Sequence, residues 1–282
     1  MEAVAAKPSK QQLAGQGGVK VWGVYLNDEG CFQPPPESLN ELIALTRSVM
    51  RKRLLRTSLL QRLVGKWLWY YLMVRPCLSV FGPLFRQCRS QSRWIKLWPS
   101  GQQVFRELIA MAPLLQVNPS RPLGRLVATD SSGYGGGVAV AREYSMETFE
   151  QLSRFCYYKG RGDLVTPAYH EELGALLEPM EFPAFAWKWK DKSEHITVKE
   201  ARALFTGFKR AAFHSGSPVG SHHFFLVDNQ GVVGSFTRGR SSNPVINSLI
   251  QRTAALELIT GMTHDIAWVP TRFQPADRAS RQ

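Results

Sequence analysis

The sequence predicts a mixed α/β fold, a mixed sheet flanked by helices, preceded by a mostly helical and basic region. Three observations carry that reading. The stretch Leu126–Ala141, LVATDSSGYGGGVAVA, is two β-prone apolar runs across a Ser/Gly turn, the pattern of a hairpin. Beyond it, strands and amphipathic helices interleave, as they do when helices cover a sheet. Ahead of it the charge is lopsided: residues 1–120 hold 16 Lys and Arg against 6 Asp and Glu, whereas residues 121–282 hold 19 against 16.

Composition narrows the function classes. With 44% hydrophobic residues over 282 positions the chain can bury a core, which excludes a disordered protein. A net charge of +13 concentrated in the front points to a polyanionic partner, nucleic acid ahead of an anionic membrane. The four cysteines, Cys31, Cys77, Cys88 and Cys156, form no CxxC and no Cys/His cluster, which argues against zinc and against a disulfide framework. A reducing, intracellular compartment fits, nucleus or cytoplasm. The opening residues lack the apolar core of a signal peptide. Leu63–Phe85, the most apolar stretch, is broken by Lys66, Arg75, Pro76 and Pro83, so it predicts a buried helix pair and no membrane span.

Taken in order, residues 1–18 read as a flexible lead-in. Val19–Leu26 alternates as a strand does, and Asn27–Gly30 supplies a turn. Pro34-Pro35-Pro36 is a stiff spacer before a helix with Leu39, Leu42, Ile43 and Val49 on its stripe. Leu59–Val74 is a second helix, stopped at Arg75-Pro76. A basic segment follows, with Arg86, Arg89, Arg93 and Lys96 around Trp94 and Trp98. The two indoles with these arginines read as core plus surface, with a base-stacking platform as the alternative. Gly101–Leu115 is a further helix, and Asn118–Gly124 is the linker taken as the domain boundary. After the hairpin come a helix over Met146–Phe155, a glycine-basic loop at Lys159–Gly162, a stretch around Glu171–Leu177 and a strand over Phe182–Trp189. Then follow a helix over Val198–His214, the strand His222–Val227, a helix over Asn229–Phe236, a longer one over Pro244–Gly261, the strand Asp265–Val269 and a last helix over Pro275–Arg281.

Four lone acids fall at strand ends and helix starts: Asp130, Glu200, Asp228 and Asp277. Singly, each has an ordinary role, an Asx turn for the strand-end acids or a favourable helix N-terminus for the other two. Together they mean more, because strand ends of an open α/β sheet converge on one edge. Carboxylates crowded there repel one another unless cations lie between them. Oxygen ligands with open positions suit magnesium, and paired ions clamp the attacking and leaving oxygens of a phosphodiester. Arg238, Arg240, Ser241 and Ser242 form a basic-hydroxyl loop suited to phosphate, with an ordinary solvated loop as the alternative; Ser131, Asn229 and Asn243 complete the expected nucleic-acid-binding set. Competing motifs are weaker. His222 and His223 are adjacent on a strand and so face opposite ways; Ser131-Ser132 lacks GxSxG; Gly133–Gly137 lacks the Lys-Ser/Thr of a phosphate-binding loop and reads as a tight hairpin.

DSSG after an apolar strand, the Glu in ITVKEARAL, the Asp in FFLVDNQ and the Asp in WVPTRFQPADRASR together resemble the Asp-Glu-Asp-Asp set of ribonuclease H. More narrowly they resemble the ribonuclease H domain of DIRS-like retroelement polyproteins. The residues are Asp228-Asn229, Gly239-Arg240-Ser241-Ser242, Asn247, Trp268, Pro270, Pro275-Ala276-Asp277 and Ser280-Arg281, within residues 125–282. Residues 19–117 resemble the thumb and connection of the same polyproteins' reverse transcriptase, VKVWGVYLN being similar to the primer-grip hairpin. No YxDD motif is present, so polymerase activity is not expected of this chain and the palm would lie upstream. Many ribonucleases H carry a His in the loop before the last Asp. Here Pro270–Pro275 has none, as is common in the DIRS-like pattern, which bears on turnover rather than activity; Gln274 stands where Asn is usual before Pro275-Ala276-Asp277.

What the resemblance implies is a ribonuclease H-like endonuclease that hydrolyses the RNA strand of RNA–DNA hybrids. Asp130, Glu200, Asp228 and Asp277 would hold two Mg2+ ions, with Mn2+ able to replace them. The basic front half would take template–primer duplex. The alternative is a palm-less retroelement remnant that binds nucleic acid and cuts nothing. An integrase-type nuclease on the same fold would have three acids, so Asp277 discriminates. No membrane is expected as a partner.

Overall fold

A computed structural model describes residues 18–21, 23–142, 144–156, 167–213 and 219–282. The expected lead-in before residue 18 and the glycine-basic loop Lys159–Gly162 lie outside the described residues. The chain divides into two compact units: the described residues up to Val74 with Val80–Ser120, and Arg75–Ser79 with Arg121–Gln282.

In the first unit the single strand expected over Val19–Leu26 is a hairpin. β1 (Val19–Val21) pairs antiparallel with β2 (Val24–Leu26), and β3 (Phe32–Gln33) adds to β2. The break falls where Gly23 adopts φ +81°, a left-handed conformation that alternation of apolar residues does not reveal and that glycine alone adopts without strain. Four helices follow: α1 (Pro36–Met50), α2 (Thr57–Tyr71), α3 (Gly82–Cys88) and α4 (Pro99–Met111). Their shared core contains Leu42, Leu60, Leu63, Trp67, Tyr71, Phe81, Phe105 and Leu108. The buried polar tips are satisfied, as burial requires: the Trp67 indole donates to Thr46 Oγ1 at 2.9 Å and the Tyr71 hydroxyl to the Leu108 carbonyl at 2.6 Å. β4 (Leu55–Arg56) and β5 (Trp94–Ile95) form a two-stranded ribbon with Arg56 opposite Trp94.

The second unit is built on a mixed five-stranded sheet. Its strands are β6 (Leu123–Ser131), β7 (Gly135–Val140), β8 (Ala184–Lys188), β9 (His222–Val227) and β10 (Thr263–Trp268), ordered β10-β9-β6-β7-β8. β10, β9 and β6 run parallel; β7 and β8 are antiparallel additions. Both faces are covered, which is why β6 and β9 read as unbroken apolar runs. One face packs Val127, Val138, Phe225 and Val227 against α7 (Ile196–Ala212), α8 (Gln230–Arg238) and α9 (Pro244–Thr260), whose inward residues include Leu204, Phe208, Val233, Phe236 and Ile250. The other packs Leu126, Ala128, Phe224 and Leu226 with Leu152 of α5 (Met146–Ser153) and Leu173 of α6 (Pro167–Leu177). Ala276, in the same cluster, leads into α10 (Asp277–Ser280).

The helices of this unit start where their caps sit. Asn229 Oδ1 accepts the Val232 N–H, and Asn243 Oδ1 accepts those of Val245 and Ile246. α8 and α9 end on Gly239 and Gly261, at φ +69° and +67°. Among the described residues no helix is long and apolar enough to cross a membrane.

Candidate functional site

β6 is buried from Leu126 to Ser131, and its carboxylate Asp130 is buried with it. The parallel register pairs Thr129 with Val227, so Asp130 and Asp228 stand side by side at the carboxyl ends of neighbouring strands. Glu200 comes from α7, where Val198, Ala201 and Leu204 hold the helix against the sheet and leave Glu200 buried at the same edge. Each of the three offers a carboxylate oxygen, and these atoms all lie within 4.8 Å of one another.

Their partners are unequal. Asp130 Oδ2 accepts the Ser280 hydroxyl. Asp228 Oδ2 accepts from Thr271 Oγ1 at 3.0 Å, and its carbonyl accepts the Trp268 indole N–H at 2.7 Å. Glu200 Oε2 is buried without any hydrogen-bond partner. Burial first, then repulsion from Asp130 and Asp228, pushes the Glu200 carboxyl up to about 9. Burial, then Asp130, pushes Asp228 up to about 6, and burial raises Asp130 against the Ser280 hydrogen bond. Protons alone thus keep three carboxylates this close, unless a cation takes their place.

The donor set fits a hard divalent ion. All three donors are carboxylate oxygens, the class that magnesium prefers, and the orphaned Glu200 oxygen is a buried acceptor awaiting a positive partner. The fourth expected acid is placed differently. Asp277, at the start of α10, accepts from Arg281 Nε at 3.0 Å and Nη2 at 2.7 Å, outside the three-carboxylate group. It lies near enough to raise both Asp130 and Asp228.

Three further side chains shape the site. Gln274 is buried and its amide donates to the carbonyls of Thr129 (3.1 Å) and Leu226 (3.4 Å), tying the loop before Asp277 to the ends of β6 and β9. Ser280 joins Asp130 to α10 and, through its carbonyl, accepts Ser132 Oγ at 2.5 Å. Lys199 is buried beside Glu200 yet directs Nζ to the carbonyls of Lys192 (2.9 Å) and Gly133 (3.4 Å). Ser280 and Gln274 fell inside quoted motifs without a role. Lys199 carried no signal, because a lysine in an amphipathic helix ordinarily faces water.

The expected nucleic-acid contacts fall in two places. Ser131 sits beside Asp130, its Oγ accepting the Trp189 indole at 3.1 Å. Asn229 and Asn243 use their side-chain oxygens as helix caps, and Ser241 Oγ accepts the Asn243 N–H at 3.2 Å. Arg238 and Arg240 are exposed at the end of α8. His222 and His223 do face apart, toward Asp265 and toward the Arg125 N–H. His264 is paired with Glu257.

The glycine run forms the expected tight hairpin between β6 and β7. The turn occupies Ser132–Tyr134, and β7 already begins at Gly135. A Cβ on Gly137 would stand 2.8 Å from the Ala276 carbonyl and 2.9 Å from the Ser280 N–H, and one on Gly136 2.3 Å from the Trp187 ring. Gly135–Gly137 therefore admit α10 on one face and Trp187 on the other.

No protein-family model matches the sequence, and no curated protein does. Among solved structures, the N-terminal RNase H domain of a Mycobacterium tuberculosis protein, fused to maltose-binding protein, aligns with 57% of this chain and 92% of its own at 17% identity and TM-score 0.36. A foamy viral protease-reverse transcriptase (dRH) in complex with double-stranded DNA aligns with 88% of this chain at 12% identity and TM-score 0.31; this chain spans 37% of that one.

Proposed function

We propose that the chain is a ribonuclease H-like endonuclease that hydrolyses the RNA strand of RNA–DNA hybrids, and that it belongs to a retrotransposon reverse transcriptase polyprotein. The single observation that supports this most is the buried convergence of Asp130, Glu200 and Asp228 with one carboxylate oxygen unpaired. Asp130, Glu200 and Asp228 would hold divalent ions, Mg2+ or Mn2+, with Asp277 serving a second ion beside them. Bound there, such ions supply a water of lowered pKa and a positive charge for the leaving 3′-oxygen.

The chain's own residues do the rest. Ser280 and Thr271 orient Asp130 and Asp228 by donating to one oxygen of each, which leaves the other oxygen of each for a cation. Gln274 fixes the loop that carries Asp277. Ser131, Asn229, Arg238, Arg240, Ser241 and Asn243 would contact the hybrid, and the basic first unit would hold template–primer duplex through its phosphates. A second reading, a remnant that binds and does not cut, draws on the Arg281 pairing that occupies Asp277.

The test is cleavage of a labelled RNA–DNA hybrid, with duplex DNA and duplex RNA as controls, in magnesium and in chelator. Magnesium-dependent cutting of the RNA strand alone is expected. Asp228→Asn should abolish it while leaving hybrid binding within about twofold. Binding without cutting by the unaltered chain would establish the remnant instead.

A further inference from the structure

Residues 51–100 contain eleven Lys and Arg and no Asp or Glu. Within that span three large aromatics are left out of the core: Trp69 is 49%, Trp94 51% and Trp98 45% exposed, while Leu97, between the last two, is buried. Of the core plus surface expected around Trp94 and Trp98, the two indoles take the surface, and Leu97, Trp67 and Phe105 are buried. From this surface we infer a binding site for single-stranded nucleic acid, with Trp94 as a base-stacking platform and the surrounding arginines as phosphate contacts. It shares with the proposed function the class of partner and the basic first unit, and needs none of the acidic site.

The surface is preformed. Arg56 faces Trp94 across the β4–β5 ribbon, its guanidinium 5.3 Å from the ring centroid. The ribbon backbone is braced from behind: the Thr57 N–H donates to the Arg93 carbonyl at 3.1 Å and Thr57 Oγ1 to the Ser92 carbonyl at 2.5 Å. Gln87, buried, donates to the Lys96 carbonyl at 2.6 Å and accepts the Trp98 N–H at 3.3 Å. Both indoles therefore project from fixed backbone, and little ordering entropy remains to be lost on binding. Arg89, Arg93 and Lys96 are all exposed beside them.

The combination selects an unpaired strand. Positive charge attracts any polyanion and gives no preference for single over double strands. An indole adds affinity only where a base face is open to it, and in a duplex those faces are covered by neighbouring bases. Base–aromatic stacking is sequence-tolerant, so the surface would hold unpaired strands of any sequence.

The test uses the full chain in chelator, with fluorescence anisotropy of a labelled twenty-residue oligothymidylate and of a blunt DNA duplex of the same length. Trp94→Ala should weaken oligothymidylate binding by about 5- to 140-fold, the range to which stacking energies convert, and duplex binding by less than twofold. Trp94→Phe should restore most of the loss. Arg93→Gln should weaken both probes and flatten the salt dependence, which Trp94→Ala should leave unchanged. Equal loss on both probes, or no loss on the oligothymidylate, overturns the inference. So does tighter, Trp94-dependent binding to phosphatidylserine vesicles than to the oligothymidylate. Hybrid cleavage, measured in parallel, reports on the acidic site separately: its failure with intact Trp94-dependent binding would sink the nuclease alone.

Discussion

Glu200→Gln isolates the cost of crowding three carboxylates. The wild-type group titrates near 9 in the folded chain against 4.5 as an ordinary glutamate. A carboxyl raised on folding stabilises the folded chain relative to its ionised form below the unfolded value, and that stability is lost as pH rises through the folded value. At pH 8 the loss is on the order of 5 kcal/mol, at about 1.36 kcal/mol per pH unit. Glutamine does not titrate, so it escapes this loss, but its amide meets a position where Glu200 Oε2 has no partner, a cost of about 1–3 kcal/mol. The titration term wins at high pH and the unpaired amide at low pH. In chelator the variant should therefore unfold above the wild type at pH 8, by about 4–16 °C at roughly 2–4 °C per kcal/mol. It should unfold below it at pH 5, with the curves crossing near about pH 6. Circular dichroism melts from pH 5 to 9 read this directly. Parallel curves, or a variant less stable throughout, would refute the account of Glu200 as an uncompensated buried acid.

Adding Mg2+ at about a hundred times its Kd should stabilise the wild type by about 2.7 kcal/mol, a rise of roughly 5–11 °C; a rise of the same size in Glu200→Gln would mean that the ion binds elsewhere. Ser280→Ala removes the donor to Asp130 and should cost about 1.5–3 kcal/mol, the scale of a hydrogen bond to a charged group. Its cleavage should demand more Mg2+, and an unshifted Mg2+ dependence would deny Ser280 any part in orienting Asp130. Gly137→Ala drives a methyl into the Ala276 carbonyl and should cost about 1–3 kcal/mol through overpacking. Because the displaced segment carries Asp277 and Ser280, cleavage should fall even at temperatures where the variant stays folded; full activity would show that α10 is not needed at the site.

Legibility in the sequence followed range of interaction. Asp130 and Asp228 were visible because each terminates an apolar run, and a carboxylate there is a local anomaly. Glu200 was not distinguishable by pattern from an acid that favours a helix N-terminus; only the resemblance singled it out, since its burial depends on α7 crossing the sheet edge. The glycines were legible only in part for the same reason. Gly135 and Gly137 belong to the hairpin the sequence shows, but the smallness of Gly137 also serves the approach of α10, some 140 positions away. Gln274 is likewise an ordinary loop residue until β6 and β9 present their carbonyls to it. Helix and strand existence read well, but ends moved where a turn conformation, as at Gly23, leaves no trace in hydrophobic period.

The disposition of cations argues most directly for what the acidic cluster is. A structural network would neutralise three buried carboxylates with the side chains at hand, because an unpaired buried charge is destabilising. Lys199 adjoins Glu200 in the chain and is itself buried, yet its ammonium goes to two backbone carbonyls. Arg281 donates from both Nε and Nη2 to the single oxygen Oδ1 of Asp277, at the margin of the cluster. The fold thus gathers three acids, raises their affinity for protons and gives the hydrogen bonds of both of these cations to other groups. An arrangement that costs stability in the absence of a ligand is what a site for an exchangeable cation requires, and what a packing arrangement would have no reason to keep.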